Sequence, residues 1–154
     1  IQFLFSQSPN IIKEAHTFLL NISSGGYVNI LKYLHDSGID IHYNNNETFI
    51  NACRFGKLEI IKYLSDNGVD IQTQNNLALR KAAKYNRIDV VKYLVNHGAD
   101  IHSKNDEAVK LSAKSGYIEQ LDYLLKNGGN REVADIYANP VTKAWLLNIK
   151  LNKD

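Results

Sequence analysis

The sequence predicts an all-α solenoid of stacked helix-turn-helix units with short loops. Three recurrences predict it. Tyr-Leu stands at Tyr33-Leu34, Tyr63-Leu64, Tyr93-Leu94 and Tyr123-Leu124. Gly38, Gly68, Gly98 and Gly128 follow at the same thirty-residue spacing. Asp40, Asp70 and Asp100 share a third column, with Asn130 in the fourth copy. Periods of about twenty to fifty residues mark stacked arrays, in which no unit can bury its apolar face alone. Such an array is usually a binding surface and rarely an active site.

The first element is residues 1–13, a half-repeat or N-terminal cap. Phe3 to Ile11 aligns, thirty residues back, with Tyr33 to Ile41, so it reads as the tail of a further second helix. Phe3, Leu4 and Phe5 would then be exposed and could support self-association. The chain begins with Ile1 and contains no methionine, which places the start of the gene product elsewhere.

Residues 14–130 hold about four units. In the copy from Gly56, Leu58, Ile61 and Leu64 recur at helical spacing, and Ile60 and Tyr63 widen the stripe. Glu59, Lys62, Ser65 and Asp66 fill the other face, with Glu59 and Lys62 spaced as a surface pair. Gly68 ends the helix, since glycine takes the positive φ wanted after a C-cap. Gln72 to Asn76 form a polar turn. The second helix of the copy runs from about Asn76 to Tyr85, with Asn75 or Asn76 as its N-cap. Leu79, Ala82 and Ala83 pack inward, while Arg80, Lys81 and Lys84 stay solvated. Asn86 replaces the glycine of the other copies and also tolerates a left-handed turn. Small residues at Ala52, Ala82, Ala83 and Ala113 let neighbouring helices approach, and Cys53 in that column reads as a buried small hydrophobe.

After Asn130 the pattern fails, leaving residues 131–154 as a C-terminal cap. Pro140 suits a helix start. Val141, Ala144, Trp145 and Leu147 to Leu151 give an amphipathic stretch that covers the last unit, with Trp145 packed against it.

Composition excludes several classes. A net charge of +2 with mixed signs gives no argument for nucleic acid. One cysteine permits no internal disulfide and fits an intracellular, reducing compartment. No apolar run approaches the roughly twenty residues of a membrane span, and no secretory signal is present. No phosphate loop, Gly-x-Ser-x-Gly or His-Glu-x-x-His occurs, so no enzyme, cofactor or metal is expected. His42 and His102 share a column broken by Gln72. That column ordinarily holds a polar residue bonding backbone between neighbouring loops. Glu59, Asp89 and Glu119 recur on a solvated helix face.

The segments GKLEIIKYLSDNGVDI and NRIDVVKYLVNHGADI, with the column Ala52-Cys53, Ala82-Ala83 and Ser112-Ala113, resemble ankyrin repeats. The resemblance covers roughly residues 14 to 130. The usual unit has about 33 residues and opens its first helix with Thr-Pro-Leu-His. Here three residues are missing from the loop, and that position reads Thr17-Phe18-Leu19, Glu47-Thr48-Phe49, Leu77-Ala78-Leu79 and Glu107-Ala108-Val109. The β-turn finger should therefore be shorter. The thirty-residue Lys-Tyr-Leu variant, in a chain rich in Asn, Lys, Ile and Tyr, is similar to ankyrin proteins of giant amoeba-infecting viruses. That likeness implies a host-virus role in host cytoplasm or nucleus.

The resemblance implies partner binding by a monomer through the concave face of first helices and loop tips. Carried over by column, the binding residues are Arg54, Phe55, Lys84, Tyr85 and Lys114, extended by Arg80, Lys81 and Lys110. Ser24, Gly25 and Ser115 complete the columns, and the tips are Asn44 to Asn46, Gln74 to Asn76 and Lys104 to Asp106. Aromatics and Arg often dominate interface energies. The basic stripe suits a protein partner with an acidic segment. Alternatives are a substrate-recruiting adaptor for a ubiquitin ligase and a polyanion binder. The tail Arg131 to Asp154 does not closely resemble an F-box, and polyanion binding would weaken steeply with salt.

Overall fold

The computed structural model describes residues 9–151, and the readings on Phe3, Leu4 and Phe5 lie outside them. Ten helices form five pairs among the described residues. They are α1 (Pro9–Gly25) with α2 (Val28–Asp36), α3 (Tyr43–Phe55) with α4 (Leu58–Asp66), and α5 (Thr73–Lys84) with α6 (Ile88–Asn96). Then come α7 (Ser103–Ser115) with α8 (Ile118–Lys126), and α9 (Arg131–Tyr137) with α10 (Pro140–Leu151). The first helices stack in one layer, α1 on α3, α3 on α5, α5 on α7 and α7 on α9. The second helices form a looser layer, α2 on α4 and α6 on α8.

The small-residue column explains the closer layer. Ala52, Cys53, Ala82, Ala83, Ser112 and Ala113 are all fully buried between first helices. Ile60, Ile61, Leu64, Val90, Val91, Leu94, Leu121 and Leu124 close the core from the second helices. The apolar stripe predicted from Ile60, Ile61 and Leu64 is therefore the buried one. Gly68 takes φ +86, and the N–H groups of Gly68 and Val69 donate to the carbonyls of Ser65 and Leu64. Those bonds satisfy the last carbonyls of α4 in a Schellman motif. Asn86 takes φ +52, as its glycine-replacing position requires.

The Lys-Tyr-Leu motif joins neighbouring second helices. Lys32 lies 5.6 Å from the Tyr63 ring centre, and Lys92 lies 6.0 Å from that of Tyr123. The Tyr63 hydroxyl shares a 2.7 Å hydrogen bond with His35 Nδ1. The Tyr123 hydroxyl donates to Asn96 Oδ1 at 3.0 Å. Tyr63 and Tyr123 thus lean on the preceding unit, whereas Tyr93 stacks on His97 at the end of its own helix. Glu119 likewise pairs backwards with Lys92 at 3.1 Å, across units.

The loop departs most from expectation. Asn44, Asn45 and Asn46 all have positive φ, as do Gln74, Asn75, Asn76 and Lys104, Asn105, Asp106. Each tip is one turn of left-handed helix placed before the right-handed part of a first helix. A left-handed residue costs about 1–2 kcal/mol, least for Asn and Asp, so the Asn-rich composition of the tips has a backbone cause. The asparagines do not act as N-caps. Asn76 Oδ1 accepts from the backbone N–H of Asp100 at 2.9 Å, and Asp106 Oδ1 accepts from that of Asn130 at 3.0 Å. Gln74 Nε2 donates to the Asn45 carbonyl and Ser103 Oγ to the Asn75 carbonyl. A sewn left-handed turn stands where a β-turn finger would project.

The N-terminal division differs from the one expected, and the last helix pair starts at Arg131. α1 runs unbroken from Pro9, so the division at residues 13 and 14 falls inside a helix. At the other end, residues 131–151 form a helix pair, a fifth unit without the left-handed turn. Asn130 Oδ1 caps α9 directly, accepting from the N–H groups of Glu132 and Val133. The apolar stretch of α10 is also only partly used. Leu146 and Thr142 are buried and Trp145 packs on the core, but Val141 is 63% and Leu151 75% exposed.

Candidate partner-binding face

The first-helix face is built from residues spaced three and four apart on α3, α5 and α7. On α3 they are Glu47, Ile50, Asn51 and Arg54; on α5, Leu77, Arg80, Lys81 and Lys84; on α7, Glu107, Lys110, Leu111 and Lys114. Arg54, Lys84 and Lys114 are exposed at the C-terminal ends of these helices.

Arg54 is the best-positioned cation. Its guanidinium carbon lies 5.2 Å from the Phe55 ring centre and 5.0 Å from that of Tyr85 in the next unit. Lys84 stands 5.8 Å from the same Tyr85 ring. Phe55 keeps 38% of its surface exposed. The two rings hold the guanidinium without consuming its N–H groups, which find no acceptor among the described residues. Five donors in a fixed fork are suited to a carboxylate. Beside Arg54, between α3 and α5, lies a groove of about 400 Å³ lined by Asn44, Asn45, Glu47, Ile50, Asn51, Arg54, Gln74, Leu77 and Lys81. Its apolar part comes from Ile50 and Leu77. Asn51 is fixed there by donating to the Leu20 carbonyl and Ser23 Oγ.

Not all the sequence-selected cations are available. Arg80, expected to be solvated, is half-buried and pairs with Glu107 at 2.8 Å. It also donates to the Asn75 carbonyl at 3.3 Å and approaches that of Gln74 at 3.4 Å, so it braces the left-handed turn. Lys110 sits 4.6 Å from the Tyr137 ring centre of the fifth unit. The exposed cations at the helix ends are therefore Arg54, Lys84 and Lys114, with Phe55 and Tyr85 beside the first two, and Lys81 edges the groove. Sequence reasoning missed Glu107 as the partner of Arg80; the two lie three repeat positions apart in successive units.

The histidine column also resolves differently from its expected role. His42 and His102 place Nδ1 3.3 Å from Asn46 Oδ1 and 3.0 Å from Asp106 Oδ1, each inside its own turn. The residue that bonds the neighbouring loop is Gln72, whose Nε2 donates to the Gly98 carbonyl at 2.7 Å. Among the described residues no three His, Cys, Asp or Glu side chains gather as a metal-holding group. No described helix is long and apolar enough to cross a membrane.

Cys53 is fully buried, and burial pushes its thiol well above the ordinary range. Burial is also the leading cause that raises Tyr63, with Asp36 adding to it, and Tyr123, where Lys92 opposes it. Each group holds its proton more tightly folded than unfolded. The unfolded chain loses protons first as pH rises, so stability is full below the ordinary values and falls above about pH 9. Thermal melts at stepped pH check this. In the same range iodoacetamide should leave Cys53 unmodified in the folded chain and alkylate it in urea, because the thiolate is the nucleophile.

A family model for ankyrin repeats, in three copies, matches residues 1–75, 18–105 and 74–135. The chain belongs to the ankyrin-repeat family. Ankyrin repeats are generally protein-protein interaction modules and typically carry no catalysis of their own. No curated protein matches the chain. In this ankyrin array the first-helix face is the one that the family resemblance implies to be concave. The carbonyls at the ends of its helices are taken by side chains of the following unit. Arg87 Nε donates to the Arg54 carbonyl at 3.1 Å, Gln120 Nε2 to that of Ala83 at 3.0 Å and Thr142 Oγ1 to that of Ala113 at 2.8 Å. These bonds make the face rigid where its cations stand. Gln120, buried in an otherwise aliphatic column, also donates to Ser112 Oγ, the one hydroxyl in the alanine column.

Proposed function

We propose that this ankyrin array is a non-enzymatic module that binds a protein through its concave face. The observation that carries the reading is Arg54, held between Phe55 and Tyr85 with its donors unspent. A preformed face loses little conformational entropy on binding, so contacts convert to affinity efficiently. The partner presents an acidic segment, and the charge on Arg54, Lys84 and Lys114 raises the rate of encounter. The array works as a monomer in a reducing, intracellular compartment, the environment that suits its single buried thiol. The thirty-residue Lys-Tyr-Leu unit and the Asn-, Lys-, Ile- and Tyr-rich composition support a giant-virus source and a host protein as partner.

A second reading, the ligase-recruiting adaptor, draws on the exposed apolar side of α10, where Val141, Leu147 and Leu151 offer a separate surface. Affinity capture from an amoebal lysate tests the first reading. The native chain is compared with a variant carrying Ser at 54, 55, 84 and 85, both shown equally helical by circular dichroism. A protein retained by the native chain and lost by the variant supports concave-face recognition. Equal retention removes that site and favours the α10 surface.

A further inference from the structure

We infer that the occupant of this face is an extended acidic segment in polyproline II form, with a carboxylate at every third residue. The inference rests on the concave-face reading and adds the conformation and register of what binds there. Arg54, Lys84 and Lys114 occupy one position on three successive first helices, and all three are exposed. Packed helices lie about 8–10 Å apart, so the cations recur at about that pitch along the array. A polyproline II chain rises about 3.1 Å per residue and completes a turn in three, so residues i, i+3 and i+6 share one side at about 9 Å spacing. The two pitches match without strain in either partner.

Other conformations match less well. A β-strand presents alternate residues on one side at about 6.6 Å, and its carboxylates fall between cations. An α-helix meets the pitch once in about seven residues, and its body is about 10–12 Å thick. The groove beside Arg54 holds about 400 Å³, with Ile50, Leu77 and Lys81 in its lining, room for a thin chain or single side chains. The groove's own lining holds no aromatic, but Phe55 and Tyr85 stand against Arg54 at its edge, and polyproline II ligands dock on aromatic rings. Phe55 and Tyr85 directly follow Arg54 and Lys84, whereas Ser115 follows Lys114. Prolines between the first two carboxylates therefore meet rings, and those beyond the second do not.

The test uses two fluorescein-labelled peptides of equal composition at low ionic strength, read by anisotropy. One is Glu-Pro-Pro-Glu-Pro-Pro-Glu; the other groups its three glutamates ahead of its four prolines. The spaced peptide is expected to bind about tenfold more tightly, and Arg54→Ser or Lys84→Ser to abolish that preference. Equal affinity for both peptides, weakened by Arg54→Ser, overturns the register and leaves concave-face recognition standing. Binding of neither peptide, or binding indifferent to Arg54→Ser, overturns both. Tighter binding of a thymidine oligonucleotide or of a helical peptide with glutamate at every seventh residue overturns the polyproline II assignment.

Discussion

Asp106→Val lowers stability by about 2–3 kcal/mol and detaches the C-terminal helix pair before the rest of the array melts. Two effects add. Asp106 sits at φ +57, where a β-branched side chain is strained by about 1–2 kcal/mol. Its Oδ1 is also the acceptor for the Asn130 N–H, and losing this part-buried bond costs about 1 kcal/mol. The bond joins the third left-handed turn to the residue that caps α9, so the loss is felt at that junction. Repeat arrays are stabilised unit by unit, and a broken junction frees the terminal unit first. Asp106→Asn keeps both the acceptor and the tolerance for positive φ, and it should change stability by under about 0.5 kcal/mol. Urea titration gives the magnitude. Amide exchange gives the order, with Arg131–Tyr137 and Pro140–Leu151 losing protection earliest in the valine variant.

The pair of expectations about the loop shows where sequence reasoning stops. That three residues were missing was visible from the spacing, and so was the polarity of Gln72 to Asn76. The conformation was not, because a run of three left-handed residues has no period of its own. Its only sequence trace is the Asn-Asn-Asn, Gln-Asn-Asn and Lys-Asn-Asp composition, which the capping preference of Asn explains equally well. The helices were legible for the opposite reason. Leu58, Ile61 and Leu64 carry a 3.6-residue period, and Gly68 marks a stop that only a few residues can make.

The face was legible by column and not by contact. The repeat placed Arg54, Lys84 and Lys114 together, and proximity of Phe55 and Tyr85 followed from adjacency. Repetition could not reveal that Arg80 is spent on Glu107 and on the turn carbonyls, because that bond joins different columns of successive units. The C-terminal pair was misjudged in detail because a terminal helix has no following unit to define its inner side. Val141 and Leu147 look as buriable as Leu146, and only docking chooses between them.

Arg54→Lys weakens partner binding by about 2 kcal/mol, roughly thirtyfold, though it preserves charge. Lysine presents a compact ammonium that cannot lie flat between Phe55 and Tyr85 or bond a carboxylate with two parallel N–H groups. Lys62→Ser, on the second-helix side, should leave affinity unchanged within about twofold, as a solvated surface charge does. Calorimetric titration of the captured partner against the three chains reads both effects. A loss for Arg54→Lys equal to that for Lys62→Ser would mean that only charge matters.

The central claim is that the partner lies on the first helices, and the most direct test is amide exchange of the chain with and without the captured partner. Added protection is expected at the C-terminal ends of the first helices, residues 51–57, 81–87 and 111–117. The second helices Leu58–Asp66 and Ile88–Asn96 should be unchanged. Protection confined to the second helices, or to α10, would contradict the account.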